Sequence, residues 1–307
     1  MTERRGSSGL PRAAALAGIL AILAGCGSSE GPAAASSSGA ISVSPTASGA
    51  RPSPAVSLPT TPTPGFTTQG PPWRPRPSQL FQIQLSGKLD LSVDAQIYEF
   101  DAEETPSSAL ESLHAGGGDR HFFCYIDAGS WESYRPDAAA FPKSVLGKVM
   151  EGWPDERWLD IRQIELLAPI LRARLDVCKS KGFDGVDFDN VDGWANPTGF
   201  ALSGADQLRF NRWLAAEAHR RGLFVMLKND GEQAADLVAD FDGAVVEQCV
   251  QYEECGLYRP FVDADKAVLD IEYSVPQKDF CAARVVYGID TILKHESLDA
   301  YRLGCPG

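Results

Sequence analysis

Residues 185–229 have the sequence GVDFDNVDGWANPTGFALSGADQLRFNRWLAAEAHRRGLFVMLKN, and this stretch decides the predicted fold. It begins and ends with short runs, 185–189 and 224–229, whose apolar and polar residues alternate as in a β-strand. Between them, residues 206–221 have the spacing of an amphipathic helix, and Gly222 stands where that helix should stop. A strand, a helix and a second strand in this order predict a parallel sheet covered by helices.

The same pattern recurs over most of the chain. Further strand candidates are residues 81–86, 96–101, 121–127, 158–161, 243–249 and 267–272, and further helical patterns are 164–180, 232–239 and 282–294. Eight strands with intervening helices predict a (β/α)8 barrel, a TIM barrel, over residues 79–307.

The polar positions of these strands suggest where a site would form. In a barrel covered by helices the outer face is apolar, so the polar residues of each strand are expected to point inward. This expectation includes Gln82, Gln84, Asp270 and Glu272 as well as the acids of the fifth strand. Buried carboxylates should gather at the C-terminal mouth, where barrel active sites lie. The alternative is an antiparallel sheet whose polar face meets water.

The N-terminus resembles a bacterial export signal. Three arginines, Arg4, Arg5 and Arg12, precede an apolar run at 13–23, and the run ends in Leu-Ala-Gly-Cys at 23–26. Eleven apolar residues rise only about 17 Å as a helix, too short for a bilayer core of about 30 Å. The ending resembles a lipobox, so we expect a signal peptide at 1–25, a lipid on Cys26 and an exported, membrane-anchored protein. Ordinary cleavage and release is the alternative.

A linker is predicted between the signal and the barrel. Residues 26–78 are dominated by Ser, Pro, Gly, Ala and Thr, with few charges and few aromatic residues. Such a segment buries too little apolar surface to offset its ordering entropy, so a disordered tether is expected. It would serve as a stalk or as a plain spacer.

The charge and the absent motifs limit the function. The formal net charge of −13 argues against a nucleic-acid partner and favours a cationic one. The histidines His114, His121, His219 and His295 are scattered, so neither a metal nor another cofactor is expected. The common motifs of serine esterases, dinucleotide enzymes and nucleotide triphosphatases are absent from the sequence.

Six cysteines follow Cys26, and an even number in an exported domain suggests disulfides. Cys249 and Cys255 flank a short loop and favour a local bond. Cys124 has the outward parity of its strand, and Cys178 lies late on a helix that could cover that face. Cys281 and Cys305 would join the last helix to the C-terminus. Free buried thiols are the alternative.

Three acids at predicted strand ends have the chemistry of a glycosidase. Asp187 and Asp189 are two residues apart and share a strand face, and Glu247 has the parity of Val245. Glycoside cleavage needs one carboxyl group to protonate the leaving oxygen and a second to act as nucleophile or to activate water. We predict that Asp189 and Glu247 are catalytic. The alternative is structural pairing with Lys228 or Arg162.

Further polar and aromatic residues of the predicted strand-end loops are candidates for binding a sugar. Aromatic faces stack on sugar rings, although Trp131, Trp153, Trp194, Tyr252 and Tyr258 could equally pack the loops. The candidate substrate-binding residues are Asp101, Asp127, Trp131, Asp187, Asn190, Asp192, Trp194, Lys228, Asn229, Asp230, Tyr252 and Glu272.

Several long stretches together resemble glycoside hydrolase family 114, the endo-α-1,4-polygalactosaminidase-like family. They are WPDERWLDIR at 153–162, GFDGVDFDNVDGW at 182–194, NRWLAAEAHRRG at 211–222, LKND at 227–230 and VVEQCVQYEEC at 245–255. The resemblance implies a (β/α)8 barrel that hydrolyses galactosamine-rich exopolysaccharide, with Asp189 and Glu247 at the two catalytic positions. One departure is Asp187-Phe188, where the family has Glu-Pro. A cationic polymer also suits an acidic protein.

Two other functions remain open from sequence. A glycan-binding lipoprotein could retain the barrel without turnover, and a barrel glycosidase could act on a different, cell-wall polysaccharide. The chain is expected to act as a monomer.

Overall fold

The computed structural model describes residues Trp73–Pro306, which form one large and one small β-sheet with helices. The strands are β1 Phe81–Gln84, β2 Ile97–Asp101, β3 His121–Asp127, β4 Ser130–Glu132, β5 Leu146–Met150, β6 Trp153–Leu159, β7 Gly185–Asp189, β8 Phe224–Lys228, β9 Gly243–Glu247, β10 Val268–Glu272, β11 Asp290–Leu293 and β12 Leu303–Gly304. The helices are α1 Ser107–Ala115, α2 Ile164–Lys181, α3 Gly204–Arg220, α4 Ala234–Leu237, α5 Arg259–Asp263 and α6 Gln277–Tyr287.

The large sheet is the curled parallel sheet of a TIM-barrel-like fold. Its strand order is β1-β2-β3-β7-β8-β9-β10-β11-β12, and each pair from β1 to β11 is parallel. The C-terminal segment forms hydrogen bonds at both edges of this parallel set, with β11 and with residues in or next to β1. Its strand β12 pairs antiparallel with β11, while Leu85 N–H donates to Leu298 O at 2.9 Å and Arg302 Nε donates to Phe81 O at 2.7 Å.

Two of the predicted elements are wrong, and the errors compensate in the strand count. Residues 158–161 do not form a barrel strand, because β6 pairs with β4 and β5 in the separate antiparallel sheet. The predicted helix at 282–294 is divided, because α6 ends at Tyr287 and Gly288 takes a left-handed φ of 73°. The residues after that turn form β11, which supplies the eighth parallel strand.

The inner face of the sheet carries an apolar cluster and the acids. The expectation that the polar residues of every strand point inward fails on two strands. Ile271 of β10 lies in register with Glu247 of β9 and shares its inner face, so Asp270 and Glu272 point outward. Gln82 and Gln84 of β1 also point outward, because the alternating residues Phe81 and Ile83 belong to the inner cluster. The inward orientation predicted for these four polar residues is wrong.

The helices begin and end where local chemistry requires it. Ser203 caps α3 by accepting from Asp206 N–H, and the Asp206 carboxylate accepts from Ser203 N–H in return, which completes a capping box. Helix α2 ends at Gly182, whose φ of 94° suits glycine. Both helices match the predicted 164–180 and 206–221 within two residues, while α4 is shorter than the predicted 232–239.

Three disulfides join the cysteine pairs that the sequence favours. Cys124 of β3 bonds Cys178 of α2, Cys249 bonds Cys255 in the loop after β9, and Cys281 of α6 bonds Cys305. The first bond ties the sheet to a covering helix, and the second closes the loop beside Glu247.

The packed domain begins before residue 79. Trp73 stacks on His121 with ring centroids 3.5 Å apart, and Arg74 pairs with Asp242 at 2.9 Å. The predicted tether therefore extends six residues too far, because its Trp73 packs against the inner apolar cluster. The predicted signal peptide, the lipidation at Cys26 and the rest of the tether lie outside the described residues.

Candidate active site

Three charged residues lie together at the C-terminal ends of three adjacent strands. Asp189, Lys228 and Glu247 are the last residues of β7, β8 and β9. Because parallel neighbours end at the same edge of a sheet, their side chains converge at the mouth of the barrel. The side chains of Asp189 and Glu247 are each 20% exposed, and that of Lys228 is 8% exposed.

Lys228 bridges the two acids. Its Nζ lies 2.8 Å from Asp189 Oδ1 and 2.8 Å from Glu247 Oε2. The two oxygens are therefore separated by no more than twice that distance. Burial alone would lower the pKa of Lys228, but the carboxylates of Asp189, Glu247 and Asp187 outweigh it and hold that pKa well above its usual value. Lys228 therefore stays a cation.

Two half-buried tyrosines orient the acids from the other side. Tyr125 of β3 donates its hydroxyl proton to Asp189 Oδ2 at 2.9 Å, and Tyr273, just after β10, donates to Glu247 Oε1. Burial, followed by the adjacent acid, raises the pKa of each tyrosine well above its usual value. Both phenols therefore remain neutral hydrogen-bond donors.

The residue after each charged group has an unusual backbone. Asn190, Asn229 and Gln248 have φ values of 60°, 50° and 60°. This left-handed conformation is uncommon outside glycine, and its strain often accompanies functional sites. Asn190 N–H donates to Asp189 Oδ1 at 2.8 Å, and Asn229 Oδ1 accepts from Glu247 N–H at 3.0 Å. The turns thus fix the direction of both acids.

A second acidic group adjoins Asp189. Asp127 at the end of β3 is buried, accepts from Asn190 Nδ2 at 2.8 Å, and accepts from Ser130 N–H at 2.7 Å. Burial, then Glu132 and Asp189, raises the pKa of Glu156 to about 7. Glu156 comes from β6 of the small sheet, so this insertion adds a titratable carboxyl group beside the barrel mouth.

Asp230, Asp192 and Trp194 form the next part of the rim. Asp230 accepts from Trp194 Nε1 at 2.9 Å and from Asn211 Nδ2 at 3.0 Å. Burial raises the pKa of Asp230 to about 8. Asp192 is half-buried in the turn that leads to Trp194. These three residues support the loops around Asp189 and Glu247.

Three other predicted binding residues have different surroundings. Asp101 is buried in a double contact with Arg135, at 2.7 and 3.0 Å. Trp131 donates from Nε1 to Ala138 O at 3.0 Å and packs against the outer core. Tyr252 is 42% exposed on the loop after β9.

Glu272 and Asp187 are not placed at the mouth of the barrel as predicted. Glu272 points outward, and its Oε1 accepts from Val250 N–H at 2.7 Å, so it holds the loop after Glu247 from behind. A direct contact between Glu272 and substrate is therefore wrong. Asp187 does point inward, but it is 1% exposed and lies below the mouth of the barrel.

Sequence reasoning missed Tyr125, Tyr273 and Glu156. The parity of Tyr125 with Asp127 on β3 could have placed it on the inner face. Tyr273 lies beyond the end of its strand, and Glu156 lies in an insertion, so no barrel periodicity marks either residue.

Two kinds of feature are absent from the described part of the chain. Between Trp73 and Pro306, no cluster of three or more His, Cys, Asp or Glu side chains is arranged to hold a metal ion. Over the same residues, no helix combines the length and apolar character that a bilayer span requires.

Comparisons with known proteins agree with this geometry. The model of glycoside-hydrolase family GH114 matches residues 63–307. The crystal structure of Aspergillus fumigatus Ega3 in complex with galactosamine is 35% identical, with a TM-score of 0.72, and the match covers 77% of this chain and 99% of that one. No curated protein sequence matches.

A more distant structure has the same fold. The glycoside hydrolase domain of PelA from Pseudomonas aeruginosa is 14% identical, with a TM-score of 0.60, over 75% of this chain and all of that domain. At this identity the similarity concerns the fold alone.

Proposed function

The chain belongs to glycoside-hydrolase family GH114, and on that premise we propose that it cleaves α-1,4-linked, galactosamine-rich exopolysaccharide with Asp189 and Glu247 as its two catalytic carboxyl groups. The observation that carries this proposal is the contact of both acids with Lys228 Nζ at 2.8 Å. Their placement at the C-terminal strand ends is where barrel enzymes hold their reacting groups.

The spacing of the acids favours a retaining mechanism. Retaining glycosidases hold their carboxyl groups about 5–5.5 Å apart, and inverting enzymes about 6.5–9.5 Å apart. The oxygens of Asp189 and Glu247 that contact Lys228 Nζ at 2.8 Å lie at most twice that distance apart, which supports the shorter range. The anomeric configuration of the first product, followed by NMR, checks this assignment, and inversion would contradict it.

We assign Asp189 as the nucleophile and Glu247 as the acid and base. Asp189 accepts from Tyr125, Lys228 and Asn190 N–H, so both of its oxygens are held in a fixed direction. Asp189 would attack the anomeric carbon while Glu247 donates a proton to the departing glycosidic oxygen. Glu247 would then take a proton from the water that releases the sugar from Asp189.

The substrate class rests on charge and on similarity. The structure that is 35% identical was solved with galactosamine. A deacetylated galactosamine polymer is cationic near neutral pH, and a chain of formal charge −13 would attract it.

Two substitutions test the catalytic assignment. Asp189→Asn and Glu247→Gln should each lower kcat on partially deacetylated galactosaminogalactan by at least about 10³-fold, because each removes one of two required carboxyl groups. New reducing ends provide the measurement. Asp263→Asn and Glu165→Gln, on exposed helical positions, are matched controls that should retain activity. Full activity in either site variant would remove that residue from the mechanism.

The same assay separates the two alternatives. Binding of the polymer without new reducing ends would identify a glycan-binding protein. A panel of cell-wall polysaccharides would identify a glycosidase with another substrate.

We also propose that the protein is exported and anchored through Cys26. Three disulfides support an oxidising compartment. Cells fed a fatty acid with a clickable tag should label the wild-type protein and fail to label Cys26→Ser. Equal labelling, or none, would contradict the anchor.

A further inference from the structure

Two buried carboxyl groups lie beneath the proposed catalytic acids, Asp189 and Glu247. Glu99 of β2 and Asp187 of β7 are each 1% exposed and face the inside of the barrel. Asp187 shares the inner face of β7 with Asp189, two residues away, so the pair forms the floor below Asp189 and Lys228. The proposed catalytic steps do not use either residue.

These carboxyl groups lack the partners that a buried anion needs. No N–H or O–H group of the described residues donates to either oxygen of Asp187 or to Oε1 of Glu99. Burying an ionised carboxylate without a donor is unfavourable, and two adjacent anions repel each other. The two groups lie within hydrogen-bonding reach of each other, and a bond between them requires a proton on one of them.

The surrounding charges agree with a held proton. Burial is the first cause that raises the pKa of both groups, but the hydrogen bond between them raises the pKa of Glu99 and lowers that of Asp187, as expected for one proton that stays on Glu99. Lys228 acts against this rise at both groups. The charged and titratable groups that face the pair are Asp101 from β2, Tyr125 from β3, Asp189 from β7, Lys228 from β8 and Glu247 from β9.

We propose that Glu99 and Asp187 hold one proton between them and act as a positioning pair that presents a single negative charge to Lys228 and the catalytic acids. This inference rests on the proposed roles of Asp189 and Glu247. The pair does not touch substrate, and it influences the reaction through the electric field at the barrel floor.

Amide substitutions test how many negative charges Glu99 and Asp187 carry together. Glu99→Gln and Asp187→Asn each replace a carboxylic acid with a neutral amide of similar shape that can donate to the remaining carboxylate. If one proton is shared, each single variant keeps the single charge. The double variant removes it, so the ionised carboxylates of Asp189 and Glu247 become more stable.

The first experiment measures kcat/KM against pH for the wild type, both single variants and the double variant. We expect the single profiles to stay within about 0.3 pH unit of the wild type and the double profile to move about one unit to lower pH. Glu111→Gln, an exposed residue of α1, is the control and should not shift the profile. A single variant that shifts the profile as far as the double variant, or a double variant without a shift, overturns the proposal.

A second experiment is independent of catalysis. The shared proton is bound in the folded protein and lost from an unfolded carboxyl group above about pH 4, so its stabilisation disappears as pH rises towards about 8. The Tm of each single variant should therefore rise relative to the wild type over this range. Parallel Tm curves would overturn the shared proton. Because this measurement does not use activity, it still reports on the pair if Asp189 and Glu247 prove not to be catalytic.

Discussion

At the scale of single residues, Lys228 organises the proposed reaction centre. Buried and charged, it contacts both acids at 2.8 Å and offsets the repulsion between them. Removing one partner of a buried ion pair is strongly destabilising, because the remaining charge is left buried without a partner. The cation therefore holds the two carboxylates at a spacing that repulsion would otherwise increase.

Replacing Lys228 with methionine tests this role. We expect Lys228→Met to lower kcat/KM by about 10²–10³-fold, comparable with the loss of one preorganised donor, and to move the acid limb of the pH profile upward. The measurement is kcat/KM from pH 4 to 9.

Lys179→Met, on the exposed side of α2, is the matched control and should behave as the wild type. Near-UV circular dichroism would verify that the site variant is folded. A folded Lys228→Met variant with unchanged activity would contradict the bridging role.

Strand parity located some of these residues and missed others. Alternation in GVDFD and GAVVE placed Asp189 and Glu247 on the inner face, since their apolar neighbours must meet the helices. It failed for Glu272, because Leu269 and Ile271 fill the inside of the barrel at β10. Parity shows that two faces differ, but which face points inward depends on what fills the interior.

At the scale of elements, the loop after β9 controls the position of Glu247. Gln248 begins it with a positive φ, the Cys249–Cys255 bond closes it, and Glu272 accepts from Val250 N–H behind it. The disulfide therefore closes the loop directly beside the proposed site. The Cys124–Cys178 bond instead joins the sheet to α2.

Removing each disulfide should separate these functions. The bonds span 6 and 54 residues, so loop entropy predicts losses of about 2 and 4 kcal/mol in unfolding free energy for Cys249→Ala/Cys255→Ala and Cys124→Ala/Cys178→Ala, respectively. We expect the short-loop variant to lose more activity and less stability. Chemical denaturation and reducing-end assays provide the two measurements. A short-loop variant with full activity would show that the bond does not position Glu247.

At the scale of the whole molecule, buried acids make stability depend on pH. Burial, above the other causes, raises the pKa of Asp187 to about 8, Glu156 to about 7 and Asp230 to about 8. Because these folded values lie above the unfolded values near 4, their stabilisation is complete at low pH and is lost as pH rises towards about 8. Glu217 is shifted the other way. Burial would raise its pKa, but hydrogen bonds from Arg172, Arg221 and Arg220 lower that pKa to about 2.

The domain should therefore be most stable in mild acid. We expect Tm to fall by roughly 5 °C between pH 5 and pH 8.5 at constant ionic strength, measured by calorimetry. Asp230→Asn should reduce this slope, whereas Asp236→Asn, on the exposed side of α4, should leave it unchanged. A Tm that rises over this interval would contradict the charge assignment.

The sequence by itself indicated the repeating α/β architecture, favoured the three cysteine pairs that form disulfides, and marked Asp189 and Glu247 as candidate acids, because hydrophobic periodicity, cysteine placement and strand ends can be read directly from the chain. Only the tertiary structure decided that β6 leaves the barrel, that β11 completes the parallel set, and that Lys228 joins Asp189 to Glu247. The physical reason is that hydrogen-bond partners between strands, and the side chains that fill a shared interior, come from residues far apart in sequence.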